Sequence, residues 1–331
     1  MGAWPVSDLV IGDLHLTDRP RDDYRYGIFD QIAKWQKKYE PQRTFILGDL
    51  TDRKDRHSSV LVNRTIEGLR KLDPPVIALK GNHDYVDPNN PFFKFLNHFE
   101  GVDFIMSAVE WDGVLLIPHW RDQDAFDMCC RGKPDMVLCH NTFEGAIAET
   151  GAHLSGLQPG ALERLKPRRG VWAGDVHRPQ RAGIVTYVGT PYHVRFGEDY
   201  SPRCVLVDDK GKSENLYFKS PKKVSLLIRT FEDILNNKEL SKGDHVKITC
   251  ELAREEVVEW KQYRADIMRA CSERGLEVYD TSLKINTITK RKRERLGVVK
   301  ASNTPIDIFN AYCTAEGVAS NIKEAGAIFL E

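Results

Sequence analysis

Aspartate and histidine recur through the first half of this chain in short groups, and these are residue types that bind divalent cations. Asp13-Leu14-His15 sets a carboxylate and an imidazole two positions apart. In an extended segment such residues point the same way, so both can meet one ion. Gly48-Asp49-Leu50-Thr51-Asp52-Arg53, Gly81-Asn82-His83-Asp84, His140-Asn141 and Gly174-Asp175-Val176-His177 follow in order. A single D-x-H pair arises easily by chance. The ordered series D-x-H, G-D-x-x-D-R, G-N-H-D, H, G-x-x-H is far more specific, because each piece follows a run that reads as a strand.

Those runs are Leu9-Val10-Ile11, Thr44-Phe45-Ile46-Leu47, Val76-Ile77-Ala78-Leu79, Val114-Leu115-Leu116-Ile117, Met136-Val137-Leu138-Cys139 and Val171-Trp172-Ala173. Short, continuously apolar segments suit strands buried on both faces, as in a sheet covered by helices. Amphipathic stretches separate the early ones, Tyr26 to Tyr39 and Ser58 to Leu72, and this alternation predicts an α/β layered fold. Open α/β sheets place their ligand sites outside the carboxyl ends of strands, so separate strand tips can converge on one crevice.

A composition change follows Pro221. Lys223 to Thr230 reads as a strand and Phe231 to Leu240 as a short helix. Val246, Ile248, Cys250 and Leu252 alternate with polar residues, the pattern of a half-buried strand. Arg254 to Arg274 reads as a helix stopped by Gly275, and Leu276 to Ile285 as a strand. This βαβαβ unit is near the lower size limit for an independent core and is expected to pack on the larger domain. The basic cluster Lys290-Arg291-Lys292-Arg293-Glu294-Arg295 comes next, then a helix with Thr304 as N-cap and Pro305 at its first position.

The 331 residues allow two domains, and the 48 basic and 48 acidic side chains cancel. From Lys222 onward there are 19 basic and 17 acidic residues, so any basic surface must be local rather than a property of one half. The seven cysteines are odd in number and show no C-x-x-C spacing, which argues against a zinc knuckle or disulfide framework. Cys139 and Cys250 sit in apolar runs and read as core residues. No apolar stretch approaches the ~20 residues of a membrane span. With no signal-peptide pattern over Met1 to Val10, a cytoplasmic protein is expected.

On these motifs the chain resembles the calcineurin-like metallophosphoesterase superfamily. The resemblance implies a four-layer α/β sandwich of two mixed sheets flanked by helices, with two metal ions at the strand tips. It implies that Asp13, His15, Asp49 and His177 hold the first ion, that Asp49 bridges, and that Asn82, His140 and Asp175 complete the second. Mixed oxygen and imidazole donors suit manganese, iron or zinc better than calcium or magnesium alone. Two ions about 3.5–4 Å apart neutralise a phosphate ester, activate water and clamp an in-line displacement. The leaving alkoxide then needs a proton. His83 is the candidate donor, with Asp52 to orient its ring and favour the protonated form. Asp175 departs from the pattern, since the nuclease branch carries G-H-x-H where this chain has Gly174-Asp175-Val176-His177.

Longer stretches resemble the SbcD family, the nuclease subunit of the SbcCD complex. They are His140 to Ala146, Gly174 to Gln180, Tyr187 to Pro191 and Phe196-Gly197-Glu198, with the unit from 221 to 288 resembling the capping domain. Residues 1–220 would then be the nuclease domain, and 289–331 a basic linker and a helix that could dock on the partner. The resemblance implies a manganese-dependent nuclease on double-stranded DNA ends, 3′ to 5′ and endonucleolytic, in DNA repair and recombination. It also implies a homodimer and an SMC-like ATPase partner of the SbcC type. The compact length suggests a phage-encoded or otherwise minimal member, which would work in the bacterial host cytoplasm.

Arg19, Arg53 and His193, and Lys290, Arg291, Lys292 and Arg293, are candidates for DNA contacts. A charge run is as readily a solvated linker, and each phosphate contact would add salt dependence. Arg21 and Arg25 share the loop after the first motif and invite the same reading. His119, in Ile117-Pro118-His119-Trp120, matches no ligand position and reads as a rim residue. Two other functions fit the same core: a small-substrate phosphodiesterase or phosphatase, which would not need a capping domain, and a non-catalytic DNA-end-binding adaptor.

Overall fold

The computed structural model describes residues 6–286 together with Cys313. The cluster Lys290, Arg291, Lys292 and Arg293 and the helix expected from Thr304 lie outside the described residues.

The chain runs through β1 (Ser7–Ile11), α1 (Gly27–Tyr39), β2 (Arg43–Ile46), α2 (Ser59–Leu69), β3 (Val76–Leu79), β4 (Val102–Ile105), β5 (Val109–Trp111) and β6 (Val114–Ile117). Next come α3 (Gln123–Cys129), β7 (Met136–His140), α4 (Gly160–Leu165), β8 (Val171–Gly174), β9 (Gln180–Ala182), β10 (Val185–Tyr187), β11 (Arg203–Asp208) and β12 (Ser213–Tyr217). The last described elements are β13 (Lys223–Ile228), α5 (Glu232–Leu235), β14 (His245–Ala253), α6 (Trp260–Glu273) and β15 (Glu277–Asn286).

Two six-stranded sheets carry the architecture, in the orders β12-β11-β1-β2-β3-β4 and β5-β6-β7-β8-β10-β9. Strands β1 to β4 are parallel, with β11 and β12 added antiparallel. In the second sheet β6, β7, β8 and β10 are parallel, and β5 and β9 close the two edges antiparallel.

The continuous apolar runs follow from burial on both faces. Val10, Phe45, Leu47, Ile77 and Leu79 from the first sheet meet Val114, Leu116, Met136, Leu138 and Trp172 from the second in one core. The alternate residues Leu9, Ile11, Ile46, Val76 and Ala78 face outward against Ile28, Phe29 and Ile32 of α1 and Leu61 and Leu69 of α2. On the other outer face Leu115, Ile117, Val137, Cys139 and Ala173 meet Phe126 of α3 and Leu162 of α4. The result is helix, sheet, sheet, helix, the four-layer α/β arrangement expected from the sequence.

At the amino ends of the strands, buried Arg43 donates to both oxygens of Asp8, at 2.7 and 2.7 Å. Arg169 adds a third bond to Asp8 at 2.7 Å, so a buried carboxylate is held by three charge-assisted hydrogen bonds.

Two compact units divide the chain: residues 1–225, 239–247 and 275–279, and residues 226–238, 248–274 and from 280 onward. Strands β13, β14 and β15 are hydrogen-bonded in that order. In the second unit Ile248, Cys250 and Leu252 are buried, as their alternation predicted, together with Ile267, Ala270 and Cys271 of α6. Helix α5 is shorter than expected, four residues, and stops at Asn236-Asn237, residues of poor helix propensity. The segment Arg254–Glu259 is a 3₁₀ turn leading into α6. Glu256 accepts from the Ala253 N–H at 2.8 Å and so satisfies an end donor there. No helix among the described residues is long and apolar enough to cross a membrane.

Candidate metal centre

The expected ligands leave the fold at the carboxyl ends of five strands. Asp13 and His15 follow β1, Asp49 follows β2 and Asn82 follows β3. His140 ends β7, and Asp175 and His177 follow β8. The two sheets meet at this edge. His140 Nδ1 donates to the Leu47 carbonyl at 2.5 Å, and Asp175 N–H donates to Asp13 Oδ2 at 3.0 Å. Three of the ligands, His15, Asp49 and Asp175, hold φ of 41°, 50° and 81°. Left-handed backbone at non-glycine residues is uncommon and concentrates at functional sites. Gly48 turns at φ 109° where a Cβ would lie 2.5 Å from His140 Nδ1. A Cβ on Gly81 would lie 2.2 Å from Asp49 Oδ1. These two glycines therefore let three motifs approach closely.

The side chains form two linked groups. Ligand atoms of Asp13, His15 and His177 lie within 4.8 Å of one another, and so do those of His15, Asp49 and His83. His15 Nε2 and His177 Nε2 face each other at 3.1 Å. One Asp49 oxygen is 3.5 Å from His15 Nε2 and the other 3.4 Å from His140 Nε2, so this carboxylate reaches toward both halves of the site. Asp175 Oδ1 lies 3.8 Å from His140 Nε2 and accepts from Asn82 Nδ2 at 3.1 Å. All seven expected ligands thus converge.

Several observations fit divalent cations. Asp13, Asp49 and His140 are essentially inaccessible, and a buried carboxylate is costly unless a cation compensates it. Burial pushes the Asp49 carboxyl well above its usual range, and the neighbouring Asp84 and Asp13 charges add to this. Burial likewise raises Asp13. Burial, with the nearby His177 and His83, lowers the His15 imidazole well below its ordinary value, which favours the neutral ring that a metal ligand needs. Burial opposes charge on His140 too, but Asp49, Asp13 and Asp175 outweigh it and push its pKa up to about 9. Finally, His15 Nδ1, His140 Nε2 and Asn82 Oδ1 are buried atoms with no hydrogen-bond partner among the described residues, and each is a ligand-type atom.

Three positioning residues went unassigned in the sequence. Asp84 is inaccessible and accepts from the main-chain N–H groups of Asp49, Leu50 and Gly81 at 2.9, 2.9 and 2.7 Å. It ties the second motif to the third. Its signal was its place as the last member of Gly-Asn-His-Asp. Thr142 donates to Asp175 Oδ2 at 2.7 Å. Glu198 accepts from His177 Nδ1 at 3.0 Å, from Val194 N–H at 2.6 Å and from Tyr200 Oη at 2.9 Å. Carboxylates behind ligating histidines fix the tautomer and raise ligand basicity. Glu198→Gln is therefore expected to weaken metal binding about 10- to 100-fold, read by calorimetric titration of the metal-free protein.

His83 is half-buried, and its Nδ1 lies 2.8 Å from the Asp52 main-chain carbonyl. The Asp52 carboxylate, expected to orient this ring, instead lies 3.8 Å from His15 Nδ1 and 3.8 Å from Arg19. The main chain of Asp52, and not its charge, thus holds His83.

Among the candidate DNA contacts, Arg19 and Arg53 are exposed. His193 is not available: it is buried, with Nε2 2.9 Å from the Tyr200 carbonyl and Nδ1 accepting from Lys223 N–H. Arg25 is 2% exposed; its guanidinium stacks 4.9 Å from the Tyr192 ring centroid and donates to the His15 carbonyl, so it supports the metal site from beneath. His119 sits beside the centre, its ring 6.1 Å from that of His140 and its Nδ1 2.8 Å from Tyr85 Oη.

Comparison with known proteins adds the lineage. The calcineurin-like phosphoesterase family profile matches residues 9–179, a span that holds all seven expected ligands. The chain is 27% identical over 213 residues to "Exonuclease subunit 1" of Enterobacteria phage T4, covering 59% of this chain and 62% of that protein. The chain thus spans less than two thirds of that relative's length. A solved structure described as a novel archaeal phosphodiesterase aligns at 15% identity and a TM-score of 0.36, covering 64% of this chain and all of that one. Phosphoesterases of this family use divalent metal ions, and the family match extends over more than half of the sequence. Ordered motifs, four layers and the convergent ligand set agree with it: the chain belongs to the calcineurin-like phosphoesterase family.

Proposed function

We propose that this protein is a manganese-dependent DNA nuclease of the SbcD type, cleaving phosphodiesters at the ends of double-stranded DNA, 3′ to 5′ and endonucleolytically. The observation that carries the reading is the convergence of Asp13, His15, Asp49, Asn82, His140, Asp175 and His177 at one strand edge. The likeness to a phage exonuclease subunit supports a nucleic acid as the substrate, and the word subunit supports an assembly. On this reading the protein acts in repair or recombination as a homodimer with an SbcC-type ATPase. Residues 221–288 serve as the capping domain, and 289–331, outside the described residues but for Cys313, contribute to docking the partner.

Asp13, His15 and His177 would hold one ion, Asn82, His140 and Asp175 the other, and Asp49 would bridge with one oxygen toward each side. When bound, the ions neutralise the phosphate and acidify the attacking water. The chain does the rest. Asp84 and Glu198 keep Asp49 and His177 in place, and Arg25 anchors the His15 main chain. His83, fixed at Nδ1 by the Asp52 carbonyl, gives the proton from Nε2 to the leaving 3′ oxygen. Asp175 brings a charge where the nuclease branch has an imidazole, and Thr142 and Asn82 hold it in position. Arg19 and Arg53 are the exposed cations for the DNA backbone.

The test is an end-labelled DNA duplex incubated with manganese, with magnesium and with chelator, with and without a candidate ATPase. Manganese-dependent shortening is expected. Hydrolysis of bis(p-nitrophenyl) phosphate alongside intact DNA would assign the small-substrate reading instead. DNA-end binding with no hydrolysis of either would assign the adaptor.

A further inference from the structure

Next to the metal centre lies a cavity of about 380 Å³ whose walls include Lys80, Tyr85, Asn89, His119, Trp120 and Arg121. That volume is within the range of small-molecule sites. Its walls are the direct continuations of the metal motifs. Lys80 precedes and Tyr85 follows Gly81-Asn82-His83-Asp84. Asn141, the residue after His140, grips Trp120 by both main-chain groups, donating to its carbonyl at 2.6 Å and accepting from its N–H at 3.4 Å. His119 lines the cavity and its ring is 6.1 Å from that of His140. A phosphate held at Asn82 and His140 would therefore have this space nearby, beyond His119.

The chemistry of the walls is specific. Two aromatic side chains, Tyr85 and Trp120, are combined with two cations. The Lys80 ammonium is 4.9 Å from the Tyr85 ring centroid and 5.9 Å from that of Trp120, and the Arg121 guanidinium is 5.8 Å from that of Tyr85. The Trp120 side chain is partly exposed, with its indole N–H buried, and Arg121 beside it is exposed. Lys80 is 4% exposed, and its ammonium donates to the Pro88 carbonyl at 3.2 Å. A partly exposed indole beside an exposed guanidinium suits a flat, electron-rich ring that carries acceptor atoms on its edge. Nucleobases have that form, and aromatic platforms bind them with little regard to sequence.

We infer that this cavity takes the base of a nucleotide joined to the scissile phosphate. A base inside a duplex cannot reach such a pocket, so the terminal pair must open first. The site then engages an unpaired end nucleotide. The inference rests on the nuclease reading for its biological role, but it can be tested without cleavage.

The experiment compares dGMP with 2-deoxyribose 5-phosphate by calorimetric titration in manganese. The two share the phosphate and sugar and differ by the base. The unaltered protein is expected to bind dGMP at least about 10-fold more tightly, the scale of one base stacked on an aromatic side chain. Trp120→Ala should erase most of that preference, and Arg121→Ala, at an exposed position, should reduce it with the fold intact. Equal affinity for the two ligands in the unaltered protein would overturn the inference, whether or not the Trp120 variant folds. So would a full base preference surviving in both variants. Failure of the nuclease reading would appear elsewhere, as uncut duplex in the assay above, while the dGMP preference persisted.

Discussion

Asp49→Asn is expected to lower phosphodiester hydrolysis by at least about 10⁴-fold, equivalent to ~5.5 kcal/mol of transition-state stabilisation. Asp49 offers one oxygen toward His15 and the other toward His140, so its charge serves both halves of the site. An amide keeps the shape and still accepts from the His83 N–H, a bond of 2.8 Å in the native chain, so the backbone should be undisturbed. Stability separates loss of metal from loss of fold. Burial first, and then the nearby carboxylates, hold the Asp49 carboxyl above its unfolded value. A folded-state pKa raised in this way means that the native chain binds the extra proton. Stability is therefore lost as pH rises from the unfolded value toward the folded one, and the ionised group costs stability above that window. Removing the charge should leave the metal-free melting temperature at neutral pH equal or higher. The rise in melting temperature on adding manganese should shrink sharply, because ligand stabilisation follows affinity. A variant that melted lower without metal, and rose normally with it, would contradict a ligand role.

His83→Ala is expected to lower kcat on DNA by about 10²–10⁴-fold while leaving manganese binding near normal. The leaving group supplies the decisive comparison. A 3′ alkoxide needs a proton as it departs, but p-nitrophenolate does not. Hydrolysis of bis(p-nitrophenyl) phosphate should therefore fall far less than DNA cleavage in the same variant. His83 also lies within ligand distance of His15 and Asp49, and this gives the alternative a clear signature. Equal losses on both substrates, with weaker manganese binding by calorimetry, would make it a ligand and not the proton donor.

Much of the fold was written in the sequence because the strands that build it are buried on both sides. A run such as Val76-Ile77-Ala78-Leu79 has to be apolar throughout when Ile77 and Leu79 face the second sheet and Val76 and Ala78 face the helices. The six runs read from the sequence are β1, β2, β3, β6, β7 and β8, six of the eight internal strands of the two sheets; β10 and β11 were not among them. Edge strands carried no such mark. Val109–Trp111 is exposed along its length and Gln180–Ala182 is mostly polar, since a strand at the rim of a sheet needs only one neighbour and little burial. The candidate ligands stood out for a related reason: a metal would demand Asp, Asn and His at strand tips, and such a demand leaves its trace within a few residues of each tip.

What no local pattern could carry was the relation between residues far apart in the chain. The sequence alone determined the order of the motifs, the α/β class and the seven candidate ligands. Tertiary structure decided which side chains stand behind them. Glu198 reaches His177 across a loop and Asp84 binds the main chain of Asp49 and Leu50. Arg25, which in sequence looks like a cation for DNA, is turned inward to the His15 carbonyl. His193 is likewise withdrawn from the surface, both its nitrogens engaged. The physical reason is common to all four. Whether a charged or polar side chain faces solvent or a buried partner depends on which other strand and loop arrive beside it, and hydrogen-bond satisfaction inside the fold is settled only when they do.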